Sequence, residues 1–136
     1  MNNTAGSKPL LLNFFILLSY MALIFVLSVK PAPEGIPGFW QMDKLIHAGV
    51  YAVMGLLALG VTGRLVVTNK RRAALYAFLI SFIFGGSMEV VQSFIPAREG
   101  SFYDCIANGI GAFIGVYIAV GIISRVCGRR QFSSGS

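Results

Sequence analysis

Residues 87–108 read SMEVVQSFIPAREGSFYDCIAN, a short polar turn set between two long apolar runs. Pro96 stops the run before it, because proline cannot continue a helix and disfavours helix in the residue that precedes it. Glu89 and Gln92 before the turn, and Asp104 and Asn108 after it, are each about one helical turn apart. The stretch therefore reads as a helical hairpin with polar side chains gathered at its closed end.

Moving outward, the same alternation of apolar run and short break accounts for the whole chain. Of its 136 residues 56% are hydrophobic and only 12% charged, against about 25% charged in soluble domains. The mean hydropathy is +0.75. Lipid is the solvent this balance fits. At about 20 apolar residues per crossing, the length accommodates four membrane helices and no separate soluble domain.

The expected helices cover about 10–29, 43–61, 73–95 and 102–126, with residues 131–136 as a disordered tail. The first run is too long for the apolar region of a secretory signal, typically ~7–15 residues, and no small-residue cleavage site precedes Lys30. Pro31, Pro33 and Pro37 break the chain after it, and Asp43 is well suited to opening the second helix. Gly60 to Gly63 mark the expected end of that helix. Cys105 and Cys127, at opposite ends of the fourth run, lie roughly 33 Å apart along a helix and cannot bridge within one chain.

Charge placement sets the expected orientation. Lys8, then Arg64, Lys70, Arg71 and Arg72, then Arg125, Arg129 and Arg130 fall in the N-terminal, middle and C-terminal segments that the positive-inside rule assigns to the cytoplasm. The other two loops hold Lys30, Lys44 and Arg98 with Glu34, Asp43, Glu99 and Asp104, and are expected to face outward. The reading is a single all-α membrane domain over 1–136, a four-transmembrane-helix bundle with N and C termini cytoplasmic. The net charge of +6 is thereby a topology signal and an attraction to anionic lipid, and nucleic acid is not an expected partner.

In this topology the polar residues of helices two, three and four meet on one side. Asp43, His47 and Tyr51 form an i, i+4, i+8 row, with Lys44 beside it. Gly85, Glu89 and Gln92 share a face of helix three. Asp104, Asn108, Gly111 and Gly115 have the spacing of a packed seam, and the last two make a G-x-x-x-G that lets backbones approach. Glu89 lies ~9 Å inside its helix end, where a lone carboxylate is costly. It is expected to be neutral, or to be partnered by His47, Lys44 or Arg98.

Asp43-Lys44-x-x-His47-x-x-x-Tyr51, Glu89-x-x-Gln92-x-x-x-Pro96-x-Arg98 and Ser101-x-x-Asp104-x-x-x-Asn108-x-x-Gly111 together resemble the VanZ-like family of small bacterial membrane proteins. The resemblance runs from Asp43 to Gly115, with Cys105 where an aliphatic residue is expected. It implies a multi-pass protein of the bacterial cytoplasmic membrane with a cell-envelope role. In the family's named member that role is lowered susceptibility to teicoplanin.

The residues themselves leave several functions open. The leading expectation is an outward-facing pocket for an anionic envelope lipid or a lipid-linked cell-wall precursor. Asp43, Lys44, His47, Tyr51, Glu89, Gln92, Arg98, Asp104 and Asn108 would line it, with Arg98 and Lys44 on the phosphate. The alternative is a hydrolase or transferase acting on a polyprenyl-phosphate-type lipid. There His47 would be base or nucleophile, and Glu89 or Asp104 would hold its tautomer. A third reading makes the polar cluster purely structural, fixing helix register in an accessory membrane subunit. A lone histidine without H-x-x-x-H or C-x-x-C argues against zinc at His47, Glu89, Asp43 and Asp104, a hard cation on oxygen ligands stays an alternative, and no metal or cofactor is assigned. A homo-oligomer or a membrane partner remains open, and proton-coupled transport ranks lowest for so small a bundle.

Overall fold

A computed structural model describes the backbone of residues 4–30, 40–95 and 100–133 and the side chains of 8–30, 42–95 and 100–122. Four helices follow one another: α1 (Thr4–Ser28), α2 (Trp40–Leu65), α3 (Lys70–Gln92) and α4 (Phe102–Ser133). Each contains a segment long and apolar enough to cross a membrane: Lys8–Ser28, Met42–Leu65, Lys70–Gln92 and Phe102–Ile122. The described residues include no strand, as lipid requires of an unclosed fold, because a helix satisfies its own backbone.

Specific pairs give the topology. Asn13 of α1 donates to the Gly60 carbonyl (2.8 Å) and Tyr20 to the Val50 carbonyl (3.0 Å), so α1 and α2 run antiparallel. Thr62 donates to the Ala73 carbonyl (2.8 Å) at one end of the α2–α3 pair. Gly85 lies against Tyr51 towards the other, so these two helices are antiparallel as well. Lys44 meets Asp104, and Ala52 meets Gly115 further along, so α2 and α4 are parallel. The result is an up-down-up-down bundle.

The bundle is built around small residues. Ala58, Ala73, Ala77, Ala112 and Ser81 are buried, with Leu17, Ile24, Tyr51, Met54, Leu59 and Met88 among the bulkier members of the core. The seam is tightest between α2 and α4: a Cβ at Gly111 or Gly115 would collide with the carbonyl oxygen of Ala48 or Ala52. This is how small residues join helices when lipid supplies no hydrophobic drive for association. Other large apolar side chains point the other way. Leu12, Phe15, Leu45, Ile83, Phe113 and Tyr117 are all exposed, the arrangement expected when the surroundings are acyl chains.

Several helix ends differ from the sequence expectation. The second helix opens at Trp40 and passes Gly60 and Gly63 to reach Leu65. A glycine lowers helix stability by only about 1 kcal/mol, and no proline follows to stop it. α3 starts at Lys70, capped by the Asn69 side chain, which accepts from the Arg72 amide at 3.0 Å. Its end comes at Gln92, where Phe94 and Ile95 bond three residues back, to Val91 and Gln92, in the tightened turn that leads to proline. α4 continues to Ser133 and takes Gln131 to Ser133 of the expected disordered tail into helix, since Gly128 alone does not break it.

Candidate functional site

The end of the bundle formed by the start of α2, the end of α3 and the start of α4 carries a connected polar network. Its centre is Asn108, fully buried on α4. Asn108 Nδ2 donates to Glu89 Oε1 of α3 at 3.2 Å, and His47 Nδ1 of α2 lies 3.0 Å from Asn108 Oδ1. A carboxylate can only accept, so the amide group must face Glu89 and the carbonyl must face His47. The hydrogen on that side of the imidazole is therefore on Nδ1. In the neutral ring the lone pair is on Nε2, which lies 3.9 Å from Asp43 Oδ1, too far for a hydrogen bond.

Glu89 is buried, and its compensation is mostly neutral. Besides Asn108, its Oε2 accepts from the backbone N–H of Ser101 at 3.1 Å. Ser101 caps α4, its carbonyl accepting from Asp104 and Cys105. A carboxylate at a helix N-terminus is favoured by the helix dipole and by the otherwise unsatisfied N–H groups there. Gly100 makes the approach feasible, because a Cβ there would strike the Glu89 carbonyl oxygen. His47 Nδ1 is 3.6 Å from Glu89 Oε1, the nearest ring contact to the carboxylate.

Lys44 serves Asp104 and not Glu89. Its ammonium sits 2.6 Å from Asp104 Oδ1, with side chains 20% and 10% exposed, and 5.7 Å from the Tyr103 ring centroid. Asp43, His47 and Asp104 bring possible ligand atoms within 4.8 Å of one another. With Lys44 on Asp104, a metal ion there would compete with an ammonium already in place.

Beside the network lies a cleft of about 210 Å³ between α1, α2 and α3. Asp43, His47, Tyr51, Glu89, Gln92 and Ser28 are its polar lining, and Ile24, Leu27, Ile46, Val50 and Met88 its apolar lining. The sequence reading gathers the polar residues of helices two, three and four; in this cleft α1 also supplies a wall, and Asp104 and Asn108 stand behind the lining. Sequence reasoning missed Ser28, Ile24 and Leu27. Their only signal is that Ser28 is a polar residue closing an apolar run.

Tyr51 is 2% exposed, and its hydroxyl has no hydrogen-bond partner among the described residues. Gly85 makes room for its ring, a Cβ there falling 3.0 Å from Tyr51 Cε1. Of the nine residues expected at the site, Asp43 lies 3.9 Å from His47, Lys44 and Asp104 form a separate ion pair, and His47, Asn108 and Glu89 make up the hydrogen-bonded network. Tyr51 and Gln92 are buried against it in the cleft. Arg98 lies outside the described residues.

No curated protein and no solved structure shows significant similarity to this chain. The family model described as VanZ/LLP1 matches residues 11–124, which spans all four membrane segments nearly end to end and every residue of the network and cleft. The chain is a multi-pass membrane protein and belongs to the VanZ/LLP1 family.

Proposed function

We propose that the α1–α2–α3 cleft binds the head group of an envelope lipid or lipid-linked cell-wall precursor at the outward face of the bacterial cytoplasmic membrane. The observation that carries this reading is the mixed lining: carboxylates, imidazole, phenol and amide stand beside aliphatic side chains in one recess. An amphiphile matches both halves at once. The basic residues Arg64, Lys70, Arg71 and Arg72 lie at the opposite end of the bundle, which supports placing the cleft outward. Lys44 is engaged by Asp104, so the phosphate of such a ligand falls to Arg98 in this reading. Changed glycopeptide susceptibility would follow from sequestering or presenting the precursor.

Native mass spectrometry of the detergent-purified protein tests it. Wild type should retain a defined lipid class that Glu89→Ala and Arg98→Ala lose. Identical lipid complements in all three would overturn the reading.

One observation favours turnover as a second reading. The Glu89–Asn108–His47 relay fixes the imidazole so that neutral Nε2 is an available base. Release of phosphate from a polyprenyl diphosphate by the purified protein, abolished in His47→Ala and Glu89→Gln, would establish it.

A further inference from the structure

Resting on the lipid-binding reading, the cleft also speaks to which part of a head group enters it. Its described polar lining is rich in acceptors. Glu89 and Asp43 are carboxylates, the His47 ring in its neutral form presents an acceptor at Nε2, Ser28 and Tyr51 are hydroxyls, and Gln92 adds an amide that both donates and accepts. No described lysine or arginine lines it, and the nearest ammonium, that of Lys44, is 2.6 Å from Asp104. A phosphate entering this recess would meet two carboxylates, and like charges at close range repel. Glu89 has capacity left, since each carboxylate oxygen carries two acceptor sites and each has one described hydrogen bond.

The buried Tyr51 hydroxyl is the second, independent sign of a ligand. A buried hydroxyl without a partner is unfavourable, and Tyr51 lines the cleft, so a donor that reaches it when the cleft is filled would satisfy it. We propose that the cleft takes a protonated primary amine, such as the ammonium of a phosphoethanolamine-type head group, with its N–H groups shared among Glu89, His47 and Tyr51 and its charge balanced by Glu89 and Asp43. The phosphate of the same head group stays outside the recess. Three donors on one compact cation match an acceptor-lined cavity in a way that a quaternary ammonium, which has no N–H, cannot.

Lipids with identical short chains separate these properties. Phosphatidylethanolamine, phosphatidylcholine, phosphatidylglycerol and free ethanolamine are titrated into delipidated protein in maltoside detergent, with binding read by calorimetry. Phosphatidylethanolamine should bind about tenfold or more tightly over phosphatidylcholine and phosphatidylglycerol, the scale of a hydrogen bond to a charged group. Glu89→Gln should abolish that preference. Tyr51→Phe, which retains the ring and removes a hydroxyl with no described protein partner, should reduce it.

Equal binding of phosphatidylcholine, or a preference for phosphatidylglycerol, would overturn the amine site while leaving lipid binding in place. Free ethanolamine binding as tightly as the phospholipid would support the amine site and overturn the lipid. Binding of none of the four would overturn both.

Discussion

His47 Nδ1 and Asn108 Oδ1 face each other at 3.0 Å, and the opposite edge of the same amide donates to Glu89. One asparagine thus decides which imidazole nitrogen carries hydrogen. Nitrogen-15 NMR of the histidine-labelled protein should show a protonated Nδ1, and Asn108→Ala should return the ring to a mixture of tautomers. The same substitution leaves buried Glu89 short of a donor, so it should destabilise the fold by about 1–3 kcal/mol in detergent unfolding. An unchanged tautomer in Asn108→Ala would show that something else orients the ring.

The Lys44–Asp104 ion pair joins the parallel helices α2 and α4 at 2.6 Å and is mostly shielded. A double-mutant cycle with Lys44→Met and Asp104→Asn should give a coupling of about 2 kcal/mol, the range of charged hydrogen bonds. Each single substitution should cost more than the double, because it strands the other charge in a poorly hydrated place. Additive effects would mean the pair contributes no coupling.

Gly111 and Gly115 hold α4 against the carbonyls of Ala48 and Ala52. Backbone cannot yield as a side-chain tip can, so Gly111→Ala and Gly115→Ala should each lower thermal stability by about 1–3 kcal/mol. Gly63, with nothing within 4 Å of a Cβ, is the control. Gly63→Ala should be neutral or stabilising by up to about 1 kcal/mol. Equal effects at all three positions would refute the close α2–α4 seam.

Tyr51→Phe offers a prediction with an unusual sign. Removing a buried hydroxyl that lacks a partner relieves a desolvation penalty, so the lipid-free protein should become more stable by about 1 kcal/mol. The gain should shrink or reverse in protein saturated with its ligand. Destabilisation of the lipid-free form would indicate that the hydroxyl is satisfied within the fold.

Much of this was legible in the chain because lipid enforces simple rules. Apolar runs of membrane length separated by proline, glycine and charge yield four helices. The row Asp43, His47, Tyr51 and the seam Asp104, Asn108, Gly111, Gly115 were readable because helical spacing alone places them on shared faces.

The surroundings of Glu89 were readable only in part. Of the three cations expected near it, His47 stands 3.6 Å from its carboxylate, but its hydrogen bonds come from an amide and from the N-terminus of α4, a backbone donor with no residue-type signature. The role of α1 was hidden for a different reason. That helix is apolar on every side, so nothing in its pattern separates buried Ile24, which lines the cleft, from exposed Leu23 and Phe25. The helix ends at Gln92 and Ser133 were misplaced because proline and glycine act through context and not at a fixed distance.

Whether the cleft between α1, α2 and α3 is where ligand binds can be measured by blocking it. With Cys105 and Cys127 replaced by alanine, Ile46→Cys puts a thiol on the cleft lining and Leu45→Cys puts one at the same depth beyond it. Both side chains are exposed. After each is reacted with a bulky maleimide, the retained lipid is quantified by native mass spectrometry. The account predicts that the adduct at position 46 displaces the lipid and the adduct at 45 does not; undiminished lipid with position 46 fully labelled would contradict it.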